Sequence, residues 1–135
     1  MTTRYPRRAL YDTLLFLHVL TAFLLGAAAV MSSGIVLAGR GSARELFVSD
    51  RLEDVGATGA LVFGIWLALD VDGYSLADGW ILGAIVLWAL AATCTVIARP
   101  GFHDGAVTGR AKALHWTRTL LIVGILVLMV WKPGA

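Results

Sequence analysis

Apolar residues gather into four runs along the chain: residues 13–38, 55–69, 80–98 and 114–131, each set off from the next by a short polar stretch. Crossing ~30 Å of hydrocarbon takes ~20 helical residues at ~1.5 Å each, with a usual range of ~17–25. Runs of this length with so few interruptions predict four membrane-spanning helices, over about 13–38, 52–69, 80–98 and 114–131. The first is long enough to tilt or protrude. The second is the shortest and is completed by the charged Arg51–Asp54 stretch at its start, or by local thinning of the bilayer. A cleavable leader is the rival reading of the first run, because Arg7 and Arg8 precede it and Gly26-Ala27-Ala28-Ala29 offers small residues. The apolar part of a leader is only ~7–15 residues, so the run is read as a retained span.

The polar stretches are short. Residues 39–54 predict an interfacial segment that is helical in part, and residues 70–79 carry three aspartates and no basic residue. Arg99-Pro100-Gly101 is a stop signal for the third helix, and Pro133 ends the fourth. The expected fold is therefore all-α: one integral membrane domain over residues 1–135, a four-helix bundle with up-down antiparallel topology and short loops.

Small residues recur at helical spacing. Gly56, Ala60, Gly64 and Ala68 form one ridge on the second span; Gly79 and Gly83 repeat the spacing on the third, and Ala22 and Gly26 on the first. Helices in lipid gain little from hydrophobicity when they associate, so they pack through close backbone approach along such ridges. The ridges predict a compact bundle with the second helix at its centre, or self-association through the same surfaces.

Composition agrees with lipid as the solvent. The 135 residues are 59% hydrophobic and 15% charged, with a net charge of +2, where a soluble domain carries about a quarter charged residues. The basic residues stand at the edges of the apolar runs, where anchors belong, so the charge balance points to headgroups and gives no argument for nucleic acid. Arg40, Arg44, Arg51, Arg99, Arg110 and Lys112 flank the first and third loops, with Arg118 just inside the fourth span; Arg4, Arg7, Arg8 and Lys132 share the other face. The positive-inside rule then places the first and third loops in the cytoplasm of a cell whose inner membrane holds the protein. Cys94 is the one cysteine, so an intramolecular disulfide is impossible and the thiol reads as a small packing residue.

Among residues able to do chemistry, His18 stands out, because polar groups within a span are costly and face the bundle interior. Tyr11, Thr21, Ala22, Leu25 and Ser32 fall near the same helical face. Imidazole is an axial ligand of haem iron and a common metal ligand, and the alternative is a histidine satisfied by a neighbouring hydroxyl or carbonyl. Met129 in the fourth span lies at matching depth and is the candidate second ligand, against a default of apolar packing; Lys132 reaches that level too but snorkels by default. His115 opens the fourth helix on the opposite side of the membrane and so cannot share one iron with His18. With Trp116 and Arg118 it reads as an interfacial anchor. Asp70-Val71-Asp72-Gly73 resembles the opening of a calcium loop without its closing glutamate, and His103 with Asp104 could join His115 in a small metal site. The sequence offers no nucleophile–base spacing, no phosphate-binding glycine loop and no intramembrane carboxylate of the kind a proton or ion pathway uses.

Three stretches taken together, Leu17-His18-Val19-Leu20, Val62-Phe63-Gly64-Ile65-Trp66-Leu67-Ala68 and Leu126-Val127-Leu128-Met129-Val130-Trp131-Lys132-Pro133, resemble small bacterial membrane proteins related to HemJ-type protoporphyrinogen oxidase and the copper-resistance D proteins. The resemblance implies a four-helix bundle whose first-helix histidine, here His18, is similar to a haem b ligand. The oxidase branch also carries a lysine early in its third helix. Trp80-Ile81-Leu82-Gly83-Ala84-Ile85 has none, so the oxidase chemistry does not carry over. The sequence thus supports two readings: a small membrane protein binding b-type haem or a metal through His18, with a redox or haem-handling role, or a non-catalytic accessory or assembly subunit of a larger membrane complex.

Overall fold

The computed structural model describes residues 4–70, 74–102 and 106–133, with side chains from Arg8 onward. Four long helices follow one another: α1 (Arg4–Ala38), α2 (Ala43–Asp70), α3 (Gly79–Ala98) and α4 (Gly109–Trp131), with a short 3-10 turn at Arg99–Phe102. All four are long and apolar enough to cross a bilayer, and the protein is an all-α, multi-pass four-helix bundle. At 1.5 Å per residue, the 35 residues of α1 measure about 52 Å and the 20 of α3 about 30 Å. Only α3 matches the hydrocarbon thickness closely; α1 and α2 overshoot it and must tilt or project.

The helix ends follow local chemistry. α2 starts nine residues before the predicted span at 52, because Ser42-Ala43-Arg44-Glu45 closes a reciprocal capping box. The Ser42 N–H donates to Glu45 Oε2 at 2.8 Å, and the Glu45 N–H donates to Ser42 Oγ at 3.2 Å. Most of the expected interfacial segment is therefore the first turns of the second helix. Pro100 ends α3 where its sequence predicted. Thr108 caps α4, its hydroxyl accepting from the Ala111 N–H at 3.2 Å. Gly39 leaves α1 at φ 70°, the left-handed conformation glycine adopts without strain. It also joins the two loops at that end, since its carbonyl accepts from Val107 N at 3.1 Å beside an isolated bridge between Arg40 and Ala106.

The helices pack chiefly as two hairpins, α1 with α2 and α3 with α4. The α2 ridge makes the first contact close: a Cβ on Gly56 would lie 2.5 Å from Leu25 N and 2.9 Å from Thr21 O. Across the second hairpin, side chains of one helix fill glycine notches of the other, Leu128 at Gly83 and Leu87 at Gly124. Side-chain hydrogen bonds join the hairpins to each other. Trp88 Nε1 donates to the Ala57 carbonyl at 3.1 Å, linking α3 to α2.

Burial is inverted relative to a protein in water. Phe23, Val30, Leu37, Leu120, Val130 and Trp131 are more than 70% exposed, while the buried set mixes alanines and a few larger apolar residues (Leu14, Ile35, Val36, Trp80 and Ile81) with Thr21, Ser32, Ser49, Glu53, His115 and Arg118. A water-soluble monomer rarely exposes so continuous an apolar surface. Hydroxyls such as those of Thr13, Ser33 and Thr119 bond back to their own helices, at Ala9 O, Ala29 O and His115 O.

Candidate functional site

His18 lies midway along α1 and turns toward α2. Its Nδ1 is 3.0 Å from the Ala60 carbonyl. A carbonyl only accepts, so Nδ1 carries a proton, and in the neutral ring Nε2 keeps its lone pair. The ring fits because Gly64, one turn on from Ala60, has no side chain: a Cβ there would lie 3.0 Å from His18 Cε1. The small-residue ridge thus packs the hairpin and also seats the imidazole. Thr21, on the same face of α1, is buried and bonds to the Leu17 and His18 carbonyls at 2.8 and 3.0 Å. Met129 is half-buried on α4. Lys132, just beyond α4, donates to Tyr74 Oη at 3.0 Å and lies over the Tyr74 and Trp80 rings at 5.0 and 5.4 Å from their centroids.

A second constellation occupies the loop end of the bundle, where α1 and α3 finish and α2 and α4 begin. Arg118 is its hub. Nη1 donates to Glu53 Oε2 in a buried ion pair, and Nη2 donates to Ser32 Oγ at 2.9 Å and to His115 Nδ1 at 3.2 Å. Thr95 of α3 donates to Glu53 Oε1 at 2.6 Å. All four helices therefore meet at one pair of opposite charges. The guanidinium has donors only, which makes His115 Nδ1 an acceptor; its proton sits on Nε2, 2.9 Å from Ser33 Oγ, and the ring is neutral. Ser32 and Ser33 pass the chain of donation to the Ala28 and Ala29 carbonyls.

Two expectations are corrected here. The reading of His115, Trp116 and Arg118 as one interfacial anchor fails for two of the three, since His115 and Arg118 are 2% and 7% exposed and only Trp116, at 44%, faces outward. The expectation of no acidic residue inside the bundle fails at Glu53, 6% exposed and ten residues into α2. In the sequence Glu53 sits among Arg51, Asp54 and other charged neighbours that read as interfacial. The signal was its place three residues before Gly56, on the face of the small-residue ridge. Arg118 likewise follows Ala111 and His115 at helical spacing.

The expected separation of the two histidines holds. His115 meets α1 at Ser33, fifteen residues beyond His18, or about 22 Å along the axis. His103, Asp104 and residues 71–73 lie outside the described residues. Among the described residues, no three His, Cys, Asp or Glu side chains gather in a way that holds a metal ion. The chain matches no family model, curated protein or solved structure with which it was compared.

Proposed function

We propose that the protein is a small inner-membrane protein that would bind b-type haem through His18, with a redox or haem-handling role. One observation carries this reading: the Ala60 carbonyl lies 3.0 Å from Nδ1, so that in the neutral ring Nδ1–H donates to it and Nε2 holds the free lone pair, the orienting arrangement that metal-bound histidines use. Haem suits the described residues better than a bare ion does, because the porphyrin brings four nitrogens of its own and asks the protein for one or two more ligands. Met129 is the proposed second ligand. Bound there, the group would supply one-electron redox chemistry; the chain's part is to orient His18 and to keep water from its Nε2 within the lipid-embedded hairpin. The resemblance to the HemJ-type and copper-resistance D proteins points the same way. The first and third loops are proposed to be cytoplasmic, on six loop-side basic residues against four; Arg118 drops out of the comparison because it is buried in the bundle.

The test is the visible spectrum of protein purified in mild detergent from haem-replete cells. A Soret band lost in His18→Ala, and shifted in Met129→Leu, is the expected result. Colourless protein that also fails to take up added haemin would overturn the proposal. One observation favours the alternative of an accessory subunit: on α1, Gly26 and Gly34 have open space where a side chain would project, beside the exposed Phe23 and Val30. Part of the small-residue surface is therefore left uncovered by the chain's own helices. Recovery of a stoichiometric membrane partner with colourless protein would favour that reading.

A further inference from the structure

The ion-pair network borders a cavity of about 40 Å³ at the loop end of the bundle, whose lining includes Arg118, Glu53, Thr95, Ser49, Asp50 and Arg99. Two of these residues are incompletely bonded. Arg118 gives its Nη atoms to Glu53, Ser32 and His115, and Arg99 gives Nη2 to Asp54 at 2.6 Å, yet Nε of each is buried with no partner. Arg118 is more than nine-tenths buried. Buried N–H groups without acceptors are rare, and a bound species is a standard partner for one. Here two arise from different helix ends and belong to residues lining the same space.

Charge and size identify what fills it. The charged groups at the cavity are Asp50 and Glu53 from α2, with Asp54 behind Arg99, against Arg99 after α3 and Arg118 from α4. α1 contributes the hydroxyl of Ser32, and the other titratable liners are Cys94 and the neutral His115. Three carboxylates against two guanidiniums give no excess positive charge to hold an anion. A neutral species that accepts from the guanidiniums and donates to the carboxylates fits both. About 10–15 Å³ of such space suffices for one water with two to four polar partners, so the volume holds two or three.

We propose that this cavity is a water-binding vestibule, entered from the loop side of the membrane past the exposed Asp50 and the half-buried Arg99, and closed at its inner end by the Arg118–Glu53 pair. The water accepts from Nε–H of both arginines and donates to the Asp50 and Glu53 carboxylates. It brings solvent to Cys94, inside a membrane span, from one face only. This inference is independent of haem binding at His18, which belongs to a different level of the bundle.

Magic-angle-spinning NMR of the intact protein in bilayers, with ¹⁵N-labelled arginine and magnetisation transferred from water, reads the vestibule directly. Transfer to Arg118 Nε–H is expected to build up nearly as fast as to the exposed Arg44. Build-up at Arg118 ten-fold or more slower than at Arg44 would overturn the proposal. The native thiol supplies a second measurement. Cys94 is expected to react with a small, impermeant methanethiosulfonate in sealed vesicles of one orientation and not of the other, and filling the cavity with Ser49→Leu should slow that reaction at least ten-fold. Equal reaction from both faces, no reaction from either while detergent-denatured protein reacts, or a rate indifferent to Ser49→Leu in folded protein would each count against it.

Discussion

Removing one member of the Arg118–Glu53 pair should destabilise the bundle far more than removing both. Arg118 and Glu53 are 7% and 6% exposed, so the few waters of the vestibule cannot stand in for bulk solvation of either charge if its partner is lost. Opposite charges ~4 Å apart at an effective dielectric of ~20 interact by about 4 kcal/mol, and breaking a buried pair from one side costs ~3–5 kcal/mol. Glu53→Leu and Arg118→Met singly are expected in that range. In the double variant the remaining network is nearly self-sufficient: Thr95 also bonds to Ala91 O at 3.2 Å and Ser32 to Ala28 O at 2.8 Å. Only His115 Nδ1 loses its donor, worth ~1–3 kcal/mol. The double variant should therefore lie within about 1–3 kcal/mol of the native protein, well short of the sum of the singles. Arg99–Asp54 is the internal control: it is another Arg–carboxylate pair with a 2.6 Å contact but side chains 40% and 51% exposed, where ~0–1 kcal/mol is usual. Reversible unfolding in mixed micelles, or steric trapping in bicelles, measures all four variants. Single variants that each cost under about 1 kcal/mol, no more than Asp54→Asn, would refute the reasoning, because the charge left behind would then be as well solvated as an exposed one.

The glycines of the first hairpin should separate sharply by position. Gly56→Ala puts a Cβ 2.5 Å from Leu25 N, a backbone atom that cannot step aside, whereas Gly26→Ala meets nothing within 4 Å. By the same unfolding measurement the first should cost ~1–3 kcal/mol or more, and the second should be neutral or slightly stabilising through helix propensity. Thr108→Ala removes the hydroxyl that caps α4 and should cost ~0.5–2 kcal/mol, with faster amide exchange confined to the first turn of α4 as the local readout. Lys132→Met takes the ammonium from between the Tyr74 and Trp80 rings. A loss of ~0.5–2 kcal/mol is expected, and an unchanged melting temperature would show that the lysine's place over the rings contributes nothing.

Much of the architecture is legible in the sequence. Hydrocarbon offers no hydrogen-bond partner, so a run of about 20 apolar residues has to close its own backbone as a helix, and four such runs separated by short loops leave few arrangements. Pro100 and Pro133 stopped helices where expected, because proline lacks the N–H a helix needs to continue. The ridge Gly56-Ala60-Gly64 was readable as a contact surface, although its partner, α1, was not. The Ser42–Glu45 capping box was equally present in the sequence, and it accounts for the early start of α2.

The rotation of each helix about its own axis was decided only by the tertiary structure. One residue is 100° of arc, and composition does not say whether a polar side chain near a helix end turns to the headgroups or to the centre. His115, Trp116 and Arg118 share four residues of α4, yet packing buries the first and third and leaves the tryptophan outside. Glu53 becomes an interior charge only because α2 begins at Ala43 and because its ridge, pressed on α1, turns that face inward. The solvent, the helix count and the topology thus follow from local chain chemistry, while the polar centre follows from contacts between residues 65 to 86 positions apart, as Glu53 is from Arg118 and Ser32 from Arg118.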